Sequence, residues 1–100
     1  MDGRVLVAEH NGAYVLKLVG DVRLTLSSTI DQCVERMFAS TACQSVIIDL
    51  TETEGLDSTA LGMLAKMALF VRKQLHLRPV AVSDNDSIIH LLNSMGFEQI

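Results

Sequence analysis

Strand-like and helix-like hydrophobic periods alternate along this chain, and this alternation constrains the fold more than any other feature of the sequence. Arg4–Glu9 and Ala13–Val19 each alternate between apolar and polar residues, and the Asn-Gly turn of His10-Asn11-Gly12 joins them, which predicts a β-hairpin. Further strand-like segments then follow helix-like segments, a pattern typical of parallel strands joined by crossover helices. The predicted fold class is α/β: a mixed, largely parallel sheet of four to five strands with crossover helices and an opening β-hairpin.

The other elements are predicted from apolar spacing. Apolar residues recur at helical spacing from Leu24 to Phe38, so a first helix is expected to end near Ser40 to Gln44. The β-branched run in Ser45–Leu50 is typical of a central strand covered on both faces, and an acidic loop, Thr51–Gly55, follows it. The later predicted elements are a helix from Asp57 or Ser58 to His76, a strand at Pro79–Val82, a helix at Asn85–Met95 and an edge strand at Phe97–Ile100.

Composition limits the class of protein. The 100 residues fit one domain, residues 1–100, and 49% hydrophobic with 20% charged residues indicates a packed globule. A net charge of -4 without a Lys/Arg cluster argues against nucleic-acid binding. The longest apolar run, Met67–Val71, is too short for membrane insertion and the N-terminus has no signal pattern, so a cytoplasmic protein is expected. Cys33 and Cys43 lack metal-ligand spacing and are expected to be reduced thiols.

The segment Val46–Gly62, VIIDLTETEGLDSTALG, carries most of the functional information. A buried strand leads into an acidic loop, and Asp57-Ser58-Thr59 then opens a helix. Open α/β sheets usually build their sites at this place, outside the carboxyl end of a strand. Asp, Ser and Thr are also preferred helix caps, since their oxygens accept unpaired backbone N–H groups. From the residues alone, plain helix capping is therefore the more common interpretation.

Asp57-Ser58-Thr59-Ala60-Leu61-Gly62 resembles, position for position, the motif Asp-Ser-Ser/Thr-Gly/Ala-Leu/Ile-Gly of the STAS domain family, which includes the bacterial anti-sigma factor antagonists. The resemblance covers nearly the whole chain, from Gly20-Asp21 to Gly96-Phe97, although many members have Gly where Ala60 stands. It implies that Ser58 is phosphorylated by a partner kinase, with Thr59 as the second candidate acceptor. It also implies that Asp57 helps to cap the helix and that Gly62 permits close approach.

The function implied by the resemblance is partner switching by an anti-sigma factor antagonist. The unphosphorylated protein would bind an anti-sigma factor that is also a serine-protein kinase, and so free a sigma factor. Phosphorylation of Ser58 would end this binding, and a serine phosphatase would restore it. A further signalling protein is another expected partner, and no cofactor is implied. The alternatives are an accessory subunit of a lipid or solute ABC transporter and a static signalling scaffold.

A phosphate on Ser58 would add negative charge to an acidic segment. Phosphorylation adds nearly two charges, which a helix N-terminus tolerates because its free N–H groups face them. Asp57, Asp49, Glu52 and Glu54 lie close in sequence, whereas no Arg or Lys does. The phosphate is therefore expected to repel a partner packed over Ser58 rather than to form a new contact within the chain.

The long predicted helix is apolar on two sides. Met63, Met67 and Phe70 are expected either to meet another helix of the domain or to form a docking stripe that begins one turn after Ser58. The stripe expected to pack on the sheet consists of Leu61, Leu64, Ala65, Ala68, Val71 and Leu75. The predicted partner-binding residues are Asp57, Ser58, Thr59, Gly62, Met63, Met67 and Phe70.

Catalysis is not expected from this sequence. Ser58 lacks the flanking glycines of a nucleophile elbow, and His10, His76 and His90 are scattered without metal-ligand spacing. The nucleotide-binding motifs G-x-G-x-x-G and G-x-x-x-x-G-K-S/T are both absent from the sequence. The sequence therefore predicts a binding protein without a catalytic residue, a metal site or a cofactor.

Overall fold

The computed structural model describes residues 2–39 and 42–99. A short 3-10 turn, Leu24–Leu26, links the opening hairpin to the first helix. In chain order the elements are β1 (Arg4–His10), β2 (Ala13–Val22), α1 (Ser27–Ala39), β3 (Ser45–Asp49), β4 (Thr53–Leu56), α2 (Ser58–Gln74), β5 (Val80–Val82), α3 (Asp86–Ser94) and β6 (Glu98–Gln99). The main path of the sheet runs β1-β2-β3-β5-β6, and β4 pairs with β2 beside it.

The opening hairpin is confirmed. β1 and β2 pair antiparallel, from Arg4 opposite Val19 to His10 opposite Ala13. The φ angles of Asn11 and Gly12 are 51° and 86°, and two positive values in a two-residue loop define a type I′ turn. This turn twists in the same sense as the strands it joins, which is why an Asn-Gly pair selects it.

The three helices lie on one face of the sheet. The pairs β2–β3, β3–β5 and β5–β6 are parallel, and each crossover moves the chain one strand further in the same direction. Because such crossovers are right-handed, they place α1, α2 and α3 on the same side. The α/β class with an opening hairpin is confirmed.

Burial in β3 shows the consequence of this one-sided arrangement. Val46 and Ile48 face the helices and are fully buried, whereas Ile47 between them is partly exposed. The prediction that this strand is covered on both faces is therefore wrong. An apolar β-branched residue on the open face looks the same in sequence as one beneath a helix.

The segment predicted as an acidic loop contains a strand. β4 pairs parallel with the end of β2, from Thr53 opposite Gly20 to Leu56 opposite Val22. The Thr53 hydroxyl donates to the Leu18 carbonyl oxygen at 2.7 Å. These partners lie far away in the chain, so local propensity did not indicate the strand. The pairing brings the start of α2 to the end of β2.

Two predicted boundaries fall at the limits of the described chain. α1 is described to Ala39. Its predicted end begins at Ser40, and Ser40 and Thr41 lie outside the described residues. Ile100, the predicted last residue of the final strand, also lies outside them.

α3 begins one residue after its predicted start, because Asn85 is its cap. The Asn85 Oδ1 accepts hydrogen bonds from the N–H groups of Ser87 and Ile88 at 2.9 and 3.2 Å.

Candidate functional site

Asp57 holds the start of α2 against the turn that follows β2. Its backbone is extended, and its Oδ1 accepts a hydrogen bond from the Ala60 N–H at 2.8 Å, as an N-cap does. Its Oδ2 accepts a second bond from the Leu24 N–H, also at 2.8 Å, across 33 residues of chain. Its own N–H donates to the Val22 carbonyl at 3.1 Å. One carboxylate therefore fixes the position of the helix start relative to the 3-10 turn.

Ser58 is the first residue of α2 and is exposed. Its hydroxyl makes no hydrogen bond within residues 2–39 and 42–99. Because Asp57 already caps the helix, the capping interpretation accounts for Asp57 and leaves the Ser58 side chain without a structural role. Thr59, the second predicted acceptor, is partly buried. Chemically, the site presents a solvent-accessible hydroxyl at a helix N-terminus.

The fold brings a cation to this site. The pKa of Asp57 is lowered, chiefly by the hydrogen bond from the Ala60 N–H; desolvation opposes that effect, while the Leu24 N–H and the charge of Arg23 add to it. The Arg23 guanidinium is bound to Asp21 at 2.7 Å. No Arg or Lys lies close to Ser58 in sequence, and the approach of Arg23 to Asp57 comes from the fold alone.

Glu52 and Asp49, which were expected to add negative charge around Ser58, have partners of their own. Glu52 forms an ion pair with Lys17 on β2. Asp49 accepts hydrogen bonds from the hydroxyl and N–H of Thr51, at 2.7 and 2.9 Å. Partial burial alone would raise the pKa of Asp49, but these bonds together with the charge of Lys17 lower it. Glu52 is therefore paired with a cation, whereas Asp49 keeps its negative charge.

Replacing Asp57 by Asn is expected to make the protein less stable at neutral pH, and this deficit should shrink in acid. An amide can still cap through its oxygen, but it cannot also accept the Leu24 N–H. Since the folded-state pKa of Asp57 is lowered, its contribution is complete above the ordinary carboxyl pKa and is lost as pH falls through the folded value. Urea unfolding of both proteins at neutral and acidic pH measures this.

The control for Asp57→Asn is Asp86→Asn. Asp86 also lies in the first turn of a helix, but Asn85 caps that helix instead. Its substitution should change stability little at either pH. A deficit for Asp57→Asn that is the same in acid as at neutral pH would contradict the assigned role of the carboxylate.

The three residues of the predicted docking stripe do not share one exposed face. Met67 is 2% exposed and belongs to the hydrophobic core, so its prediction as an outward residue is wrong. Met63 is partly buried and packs against that core, whereas Phe70 is 37% exposed. All three line a cavity of about 440 Å³ between α1 and α2, together with Ile30, Asp31, Val34, Glu35, Ala39 and Lys66. They therefore turn toward α1, as the alternative interpretation of this stripe expected.

The exposed side of α2 carries a different stripe. It contains Ser58 and Gly62, two of the predicted partner-binding residues, and Leu69, which sequence reasoning missed. Ala65 lies on this side and is partly buried, so the prediction that it packs on the sheet is wrong. Ser58, Gly62, Ala65 and Leu69 follow one another at intervals of three or four residues and form what we call the outer stripe. Leu69 is 57% exposed, and a Cβ built on Gly62 meets no atom within 4 Å. Leu24, on the 3-10 turn bound to Asp57, is 60% exposed. The signal available in sequence was the small-residue spacing, but only the packing of α2 shows which side it faces.

Several other features bear on the chemistry of this surface. Within the described ranges, no three His, Cys, Asp or Glu side chains lie together in a way that could hold a metal ion. Cys33 and Cys43 are free thiols, and burial raises the pKa of Cys43. No described helix combines the length and apolar character needed to cross a bilayer.

Taken together, the fold and the site define a small α/β domain that displays a capped helix N-terminus with an accessible serine. The family model of the STAS domain matches residues 4–100. The chain belongs to the STAS domain family.

Three proteins similar to this chain are named anti-sigma factor antagonists. The chain is 26% identical over 101 residues to the anti-sigma-F factor antagonist RsfB of Mycobacterium tuberculosis, covering 91% of this chain and 82% of RsfB. The anti-sigma factor antagonist SpoIIAA in its unphosphorylated form has the same fold, with a TM-score of 0.79, 11% identity, and coverage of 97% of this chain and 87% of that one. An anti-sigma factor antagonist from Mycobacterium paratuberculosis superposes with a TM-score of 0.75 and 24% identity, covering 98% and 85% of the two chains.

Proposed function

We propose that this protein is an anti-sigma factor antagonist that acts by partner switching in the cytoplasm. The unphosphorylated form binds an anti-sigma factor with serine-kinase activity and frees a sigma factor. Phosphorylation of Ser58 ends that binding, and a serine phosphatase reverses the modification. The protein acts through binding and carries out no catalytic step of its own.

The observation that carries the proposal is the division of roles between Asp57 and Ser58. Asp57 caps α2 by accepting the Ala60 N–H and ties the helix start to Leu24 by a second bond, so the neighbouring exposed hydroxyl is free to be modified without uncapping the helix. The resemblance to proteins named anti-sigma factor antagonists, RsfB and SpoIIAA among them, supports the same role.

We place the partner on the surface that surrounds Ser58. The outer stripe of α2 continues from Ser58 through Gly62 to Leu69, and exposed Leu24 lies beside the helix start. Exposed apolar residues bordered by polar ones are typical of a docking surface. A phosphate at one end of this surface adds charge where the partner must pack closely. Met63 and Phe70 line the cavity between α1 and α2. They would contact only a partner that extends from the outer stripe to that cavity.

A pull-down from host lysate tests the proposal with Ser58→Ala and Ser58→Asp proteins as baits. The Ala bait should capture a regulator that mass spectrometry identifies as an anti-sigma factor with a kinase-type ATPase domain. The Asp bait should lose it. Ser87→Asp is the matched control, because Ser87 is also an exposed serine in the first turn of a helix, which Asn85 caps. It should retain the partner.

Other outcomes would favour the alternative functions. Equal retention of one partner by the Ala and Asp baits would contradict a switch at Ser58 and favour a static scaffold. Capture of an ABC transporter ATPase by both baits would favour the accessory-subunit alternative.

Replacing Gly62 by Ala is expected to stabilise the protein while weakening its binding to the partner. Glycine inside a helix costs about 0.5–1 kcal/mol relative to alanine, and a Cβ at Gly62 meets nothing within 4 Å. No contact within the described chain therefore explains the glycine, whereas close approach of a partner does. Chemical denaturation and calorimetric titration with the captured partner measure the two effects. Stabilisation with unchanged affinity would exclude Gly62 from the interface.

A further inference from the structure

β1 is an edge strand whose central residues lack the usual protection. One side pairs with β2 along all seven residues, and no other strand of the described chain pairs with its outer side. Leu6 and Val7 are 47% and 44% exposed. Monomeric proteins usually interrupt such an edge with proline, a charged side chain or a bulge, and residues 6–8 contain none of these. The charged residues Arg4 and Glu9 lie toward its ends.

The hairpin turn determines which backbone groups of β1 point outward. In a two-residue type I′ hairpin, the pair that closes the turn, His10 and Ala13, is hydrogen-bonded. Hydrogen-bonded and non-hydrogen-bonded pairs alternate along an antiparallel ladder. The N–H and C=O groups of Val5, Val7 and Glu9 therefore point away from β2. They form three regularly spaced sites for another strand.

We propose that β1 pairs antiparallel with β1 of a second copy of this chain, about a two-fold axis that passes beside Val7. Outward residues must face outward residues for their hydrogen bonds to form. The register centred on Val7 meets this condition and uses all three sites, since Val7 faces Val7 and Val5 faces Glu9 in both directions. Leu6 then lies opposite Ala8, so apolar side chains meet at the centre.

The two ends of the sheet explain why the occupant is a second copy in this two-fold arrangement. The opposite edge, β6, has only two residues, so head-to-tail pairing of β1 with β6 would form a short ladder. Pairing β1 with itself instead joins seven residues of each chain and buries both long edges. It also closes as a dimer, because each molecule has one such edge. The result is one sheet continuous through both molecules.

Sedimentation equilibrium across micromolar to submillimolar protein concentrations tests the proposal. Wild-type protein should reach twice the chain mass of 10.9 kDa. Val7→Lys should weaken self-association by at least about tenfold, because like charges would face each other on the axis. Val7→Pro should weaken it similarly while remaining folded, since the N–H that proline removes points away from β2.

Two further variants separate this interface from general surface effects. Leu91→Lys changes an apolar residue of similar exposure, 42%, on α3, and should leave the dimer intact. In a background of Cys33→Ser and Cys43→Ser, Val7→Cys should form a disulfide-linked dimer under mild oxidation. A monomer at every concentration, or a dimer insensitive to both Val7→Lys and Val7→Pro, would overturn the proposal. Ser58→Asp should leave the mass of the self-associated protein at that of a dimer. The dimer and the partner switch can therefore fail independently.

Discussion

Phosphorylation of Ser58 is expected to weaken binding to the anti-sigma factor by about tenfold to a hundredfold while leaving the fold as stable as before. The loss follows from burying a dianion where the unmodified protein presents a small hydroxyl. The fold tolerates the charge because it sits at a helix N-terminus that Asp57 has already capped. Calorimetric titration of the purified partner with phosphorylated and unmodified protein measures the affinity. Thermal unfolding followed by circular dichroism measures the stability.

The controls for this prediction use the same chain. A Ser58→Ala protein incubated with the kinase should keep full affinity, and Ser87→Asp should behave as wild type. An unchanged affinity after complete phosphorylation at Ser58 would contradict the switch. A large loss of stability would instead show that the phosphate acts by unfolding α2.

Arg23 distinguishes two physical causes of the affinity loss. The phosphate could act by repelling the partner or by binding Arg23 and so pulling it away from Asp21. Since Arg23 is already bound to Asp21, we expect repulsion to dominate. Arg23→Ala should then leave the ratio of the two affinities unchanged. A ratio that falls toward one in this variant would identify a phosphate–guanidinium contact as the cause.

Truncation of Met67 to Ala is expected to lower the free energy of unfolding by about 2–5 kcal/mol. Its side chain is 2% exposed and packs in the core formed by the helices and the covered face of the sheet. Removing it leaves a cavity that a well-packed interior fills only in part. Urea denaturation at neutral pH measures the change. The size of the loss separates a core residue from a partner contact.

Lys66→Ala is the matched control for Met67→Ala. Lys66 is the preceding residue of the same helix and is exposed, so its truncation should change stability by no more than about 0.5 kcal/mol. A change of less than about 1 kcal/mol for Met67→Ala would contradict its place in the core. Unchanged stability with lost partner binding would restore the docking interpretation of Met67.

Local sequence signals were sufficient for part of the fold. The Asn-Gly pair at positions 11 and 12 selects a type I′ turn by its tolerance of positive φ, so the hairpin and its register follow from a few adjacent residues. The start of α2 could also be predicted from the sequence, because the capping interaction of Asp57 lies within one helical turn. β4 was not, because its pairing with β2 depends on partners far away in the chain.

The sequence by itself determined the alternation of strands and helices, the motif Asp57–Gly62 and the position of Ser58 in the first turn of a helix. These depend on interactions within a few residues, and such interactions are encoded locally. Only the tertiary structure decided that Asp57 also binds Leu24, that Arg23 approaches this carboxylate, and that Met67 is core. It also decided that one face of the sheet stays open. Each of these depends on how separate elements pack, and helical spacing shows only which residues share a side, not what that side meets.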